Sequence, residues 1–156
     1  MPNLDKGAIR KRVQGALDLL LKHDRFLLEH DVNERSITHK LAQYLQENFP
    51  GWDVDCEYNR IGNQRIDPKR LQFDVNQTST DDDQGKTVYP DIIVHHRGNQ
   101  DNLLVIEIKK STNPETGDHD EQKLRAFTKQ LGYKYAIFLK FVTGKENGTL
   151  EEMRFI

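Results

Sequence analysis

The hydropathy pattern predicts an α/β fold: a mixed β-sheet with helices packed on it. Three observations lead there. Apolar residues recur at helical spacing in three stretches, which marks amphipathic helices. Short runs rich in Val, Ile and Leu, such as LLVIEIK (Leu103–Lys109) and YAIFLKFV (Tyr135–Val142), read as strands. A helical pattern separates those two runs, as a right-handed parallel crossover requires.

The elements follow in order. Asp5 to His23 reads as a helix, with Ile9, Val13, Ala16, Leu17, Leu20 and Leu21 on one face. Phe26, Leu27 and Leu28 extend that apolar surface into a connection ending at His30-Asp31. A second helix is expected to begin with Asp31 as N-cap and Glu34 closing a capping box. Its stripe is Ile37, Leu41, Tyr44 and Leu45, and Pro50-Gly51 stop it. Trp52–Tyr58, WDVDCEY, alternates like a strand with one packed face, on which Cys56 is expected as a small buried hydrophobe.

Residues 59–86 form a polar insertion. Its basic front half, RIGNQRIDPKR, suits a phosphate backbone or simply a solvated loop, and LQFDV within it alternates as a short strand does. Two apolar runs joined by a polar turn come next, Val88–Val94 and Leu103–Lys109. Asp118–Leu131 is the third helix, with Leu124, Phe127, Thr128 and Leu131 inward and Gly132 ending it. The Tyr135–Val142 strand should pair parallel to the Leu103 strand, and Met153–Ile156 should add a short edge.

Composition bounds the function. The 156 residues suffice for one domain (1–156) around one core. No run of eighteen apolar residues occurs and no signal-peptide pattern opens the chain, so no membrane role and a cytoplasmic location are expected. A single cysteine, Cys56, excludes an intramolecular disulfide or a zinc–cysteine cluster. A net charge of −2 argues against a protein that coats nucleic acid but permits an enzyme with a local basic groove. His95 and His96 are adjacent on a strand and point to opposite faces, so they do not readily share one ion.

The chemistry concentrates between Val88 and Lys110. Glu107 and Lys109 project from one strand face, Ile106 and Ile108 from the other. Charged groups inside an apolar strand are expensive unless paired or metal-bound. Asp91 and Glu107 on neighbouring strands would offer the hard oxygens that Mg²⁺ takes, and a nearby lysine can orient water or stabilise charge on phosphorus. The bland alternative is a structural ion pair in which an acid merely neutralises Lys109.

Pro90-Asp91, fifteen intervening residues, then Glu107-Ile108-Lys109 resembles the signature of the PD-(D/E)xK nuclease superfamily. The resemblance covers about residues 31–142 and implies a restriction-endonuclease-like mixed sheet of about four core strands. Its core order would be αβββαβ, with the first helix of this chain an extra N-terminal one. It implies Mg²⁺, with Mn²⁺ as substitute, held by Asp91 and Glu107, with the Ile108 carbonyl as a further ligand and Lys109 catalytic. Glu34 matches the helix glutamate placed near the metal in many such enzymes, although it suits the capping box equally well. Lys123 and Gln130 match positions near the scissile phosphate by place only, and Lys110 falls in the basic cluster after the motif. The expected activity is hydrolysis of phosphodiester bonds in nucleic acid, most simply as a DNA endonuclease. A homodimer, or a subunit of a defence or repair system, would fit so small a chain. The alternative from another class is a non-catalytic nucleic-acid- or protein-binding module that keeps the fold.

Overall fold

The structure is a computed structural model that describes residues 4–57 and 89–156. The insertion at 59–86, including its LQFDV segment, lies outside the described residues, as does Val88 at the start of the first motif run. Three helices and five strands are present among those described: α1 (Lys6–Glu29), α2 (Glu34–Asn48), β1 (Asp53–Cys56), β2 (Ile92–His95), β3 (Asn102–Lys110), α3 (Asp118–Leu131), β4 (Tyr135–Val142) and β5 (Thr149–Phe155). From α2 to β4 the order is αβββαβ, and α1 precedes it. No helix among the described residues is long and apolar enough to cross a membrane.

One five-stranded mixed sheet runs β1-β2-β3-β4-β5. β1–β2, β2–β3 and β4–β5 pair antiparallel, whereas β3 and β4 pair parallel through the α3 crossover, as expected. Strand alternation then divides the core. Ile92, Val94, Leu104, Ile106, Ile108, Ile137, Leu139 and Phe141 pack against the stripes of α1 and α2. Ile93, Val105, Ala136 and Phe138 pack on the other face, against Leu124 and Phe127 of α3. The result is a helix–sheet–helix sandwich with β3 at its centre.

Four expectations are corrected. The first helix continues past His23 to Glu29, bent at Asp24 (φ −129°), whose carboxylate accepts from the Tyr44 hydroxyl. Tertiary pairing thus carries Phe26–Leu28 through a bend that periodicity reads as an end. The N-cap of α2 is Asn33, accepting from the Ser36 N–H at 2.8 Å, and not Asp31. Asp31 instead adopts a left-handed backbone (φ 50°) that acidic side chains tolerate, and its carboxylate holds Thr112 and Lys110.

Cys56 is exposed, not buried, because β1 is an edge strand and Cys56 is its last residue. Finally, the expected edge strand beside the four core strands is present but starts at Thr149, not Met153. A bulge opposite Lys140/Phe141 inserts Glu151 between Leu150 and Glu152, and the broken alternation hides the strand from a period-two search.

Candidate active site

Asp91 and Glu107 reach each other because the β2–β3 register sets Ile92 opposite Ile106. β2 begins one residue after Asp91, so Asp91 stands where the ladder would have continued. Its Oδ2 accepts from the Ile108 N–H at 2.8 Å, replacing a strand partner with a carboxylate. A strand residue presents its N–H and C=O to the same side, so the Ile108 carbonyl also faces the Asp91 edge of β3. Glu107 is 1% exposed, and the Asp91 carboxyl is near enough to act on it electrostatically. Burial first, and then the Asp91 charge, push the Glu107 pKa well above the usual carboxylate range. Burial likewise raises that of Asp91.

α3 closes this face with two charges of its own. Lys123 Nζ lies 3.0 Å from Glu107 Oε1, and Lys109 Nζ lies 2.8 Å from Asp120 Oδ2. Glu115, exposed, stands 3.9 Å from Lys109. Burial works against the charge on Lys123, yet Glu107 and Asp91 outweigh it and raise its pKa. Neither Glu107 Oε1 nor Asp120 Oδ2 receives a well-directed hydrogen bond, although each has an ammonium beside it. Charge is matched there while lone pairs are left over.

The ledger of charge is uneven. Asp91, Glu107 and Asp120 face Lys109 and Lys123, three carboxyl groups against two ammonium groups. A buried excess negative charge must take up a proton or a cation. Among the described residues no group of three or more His, Cys, Asp and Glu side chains is arranged to hold a metal ion. Mg²⁺, however, commonly takes one or two protein carboxylates and completes its shell with water and phosphate oxygens. Asp91, Glu107 and the Ile108 carbonyl suit that donor set, and Glu107 Oε1, beside Lys123 but without a well-directed hydrogen bond, keeps a lone pair to offer.

Other candidate residues take different places. Glu34 Oε2 accepts from the Lys110 N–H at 2.8 Å and from Asn113 Nδ2 at 3.2 Å, which ties the start of α2 to the end of β3. It is thus the first residue of α2 and does not close a capping box. Lys110 Nζ pairs with Asp31 at 3.2 Å, so it meets a phosphate only by exchanging partners. Gln130 is exposed in the last turn of α3, two turns beyond Lys123. His95 and His96 turn apart, one to Asp55 and the other to Asp101 and the Gly51 carbonyl.

Asp120 is absent from the residues singled out in the sequence. A signal for it existed: Asp120, Leu124 and Phe127 fall at i, i+4 and i+7, one stripe facing the sheet. Lys123, three residues on from Asp120, shares that flank, and the pair Asp120/Lys123 complements Lys109/Glu107 in sign and spacing. Compared with known proteins, the chain matches no family model and has no significant match to a curated protein or a solved structure.

Proposed function

We propose that this chain is a Mg²⁺-dependent nuclease with a restriction-endonuclease-like, PD-(D/E)xK-type core, hydrolysing phosphodiester bonds of nucleic acid as a DNA endonuclease. The observation that carries the proposal is the buried cluster of three carboxyls and two ammoniums, which is one positive charge short of balance. The αβββαβ order from α2 to β4 supports it, as does the position of both acids and Lys109 at the centre of that order.

Asp91, Glu107 and the Ile108 carbonyl would hold the cation, with Glu34 as an outer acceptor for a metal-bound water. When bound, Mg²⁺ supplies Lewis-acid stabilisation of the phosphate oxygens and a more acidic water. The chain's own groups do the rest. Asp120 keeps the Lys109 ammonium aimed along the α3 face, where it can orient the attacking water and stabilise charge developing on phosphorus. The water oxygen forms the new bond to phosphorus and releases a proton to solvent, one P–O ester bond breaks, and the leaving oxygen takes up a proton from solvent. The low exposure of Glu107 and Lys109 excludes bulk water and strengthens each of these interactions. A homodimer, or a place in a defence or repair system, would fit this activity.

A structural charge network is the second reading, favoured by one observation: both lysines already have carboxylate partners. It predicts no metal affinity and no cleavage, and it is compatible with a binding module that keeps the fold. Incubating the protein with plasmid, linear and single-stranded DNA and with RNA, in Mg²⁺ or Mn²⁺, separates the two. Cleavage by the parent and none by Glu107→Ala is expected; nucleic acid left intact under every condition would refute the nuclease reading.

A further inference from the structure

Lys123 stands where a cation belongs. Its Nζ is 3.0 Å from Glu107 Oε1, its side chain is 13% exposed, and both Glu107 and Asp91 act on it electrostatically. The contact is close but poorly directed, because Glu107 Oε1, in a side chain 2% exposed, receives no hydrogen bond of good geometry. A lysine ammonium is a compact point charge on a flexible stem, able to leave one carboxylate for another. Asp120, one turn back along α3, offers the alternative partner within the same cluster.

From this geometry we infer that Lys123 is the resident counter-ion of the Asp91–Glu107 pair and that a divalent cation binds by displacing it. The inference rests on the proposed metal site and adds a competition to it. With Lys123 in place the acids are partly neutralised and the fold tolerates them without metal. Cation entry shifts the ammonium toward Asp120, and an anionic phosphate would be its next partner. Metal affinity is therefore weakened by design of the chain itself, and the site stays closed to adventitious cations until one binds strongly enough to expel Lys123.

The test is direct Mn²⁺ binding to the full chain at one fixed pH, followed by the resonance of the free aqua ion, without nucleic acid. Lys123→Met keeps the length and removes the charge, so Mn²⁺ should bind at least about tenfold tighter, a change of about 1.4 kcal/mol. Lys123→Arg substitutes a planar fork that grips a carboxylate at two points, so Mn²⁺ should bind at least about threefold more weakly. Equal or weaker binding by Lys123→Met overturns the inference. Should that variant fail to fold, Lys123→Arg decides alone, and affinity equal to or above the parent's overturns it. The two proposals fail differently. No Mn²⁺ binding by parent or variants overturns this inference together with the metal-dependent reading, whereas equal binding by all three overturns only the displacement.

Discussion

Changing Asp91 to Asn separates a metal-holding acid from a structural one. The amide oxygen of Asn can still accept from the Ile108 N–H, the 2.8 Å bond that anchors the approach to β2. What the substitution removes is charge: two carboxyls and two ammoniums remain, and the cluster balances. Two carboxylates about 4 Å apart repel by up to about 4 kcal/mol at an effective dielectric near 20. Taking up a proton would relieve part of this, and burial raises the pKa of both acids in that direction. The variant should therefore gain about 0–2 kcal/mol in metal-free buffer at pH 8, or roughly 0–8 °C in Tm for a domain of this size.

The pH dependence has a definite sign. For acids whose folded pKa is raised, the stabilisation is complete below the unfolded value near 4 and is lost as pH rises through the folded value. The advantage of Asp91→Asn should thus be larger at pH 8 than at pH 5. Metal should act the other way. At about one hundred times its Kd, Mn²⁺ should stabilise the parent by about 2.7 kcal/mol and leave Asp91→Asn almost unmoved. Thermal unfolding with and without Mn²⁺ at the two pH values measures all of this. A metal-free loss of about 3 kcal/mol or more, with Mn²⁺ inert on the parent, would refute the reasoning and return Asp91 to a structural pair.

Three further outcomes are expected. Lys109→Met should abolish nearly all cleavage while metal and DNA binding persist, and Lys109→Arg should not restore the rate; because the change strands Asp120, unfolding should show a loss of about 3 kcal/mol. Parental cleavage by Lys109→Met would make the lysine structural. Glu34→Gln keeps an acceptor for the Lys110 N–H and should fold within about 1 kcal/mol of the parent, yet cut at least about tenfold more slowly at limiting Mg²⁺, with the defect shrinking as Mg²⁺ rises. An unchanged rate at limiting Mg²⁺ would leave Glu34 only its tie to β3. Burial alone would raise the Asp55 pKa, but buried His95 and the Arg97 fork hold it well below the usual range. Asp55→Ala should lose about 3 kcal/mol at neutral pH. That gap should close as pH falls below about 4, since a depressed acid stabilises only above its unfolded pKa. Urea unfolding at pH 7 and pH 3 checks both claims, and an equal loss at each pH would contradict them.

Local pattern determined much of this protein. α3, β3 and β4 were legible because their apolar residues keep one period without interruption, and a helix between two strands demands a parallel crossover. The placing of Glu107 and Lys109 on one face was equally legible, since strand alternation needs no tertiary knowledge. Tertiary structure alone decided which charges face them. Asp120 and Lys123 come from a helix that crosses β3, and their pairing with Lys109 and Glu107 depends on how α3 docks, a distance no sequence period encodes. The N-cap of α2 passed to Asn33 for a similar reason, because Lys110 and Thr112, about eighty residues away in the chain, hold Asp31 in a left-handed turn. Periodicity reports which face a side chain takes; the partner on that face is set by packing between elements distant in sequence, and buried charge is where that difference is felt most.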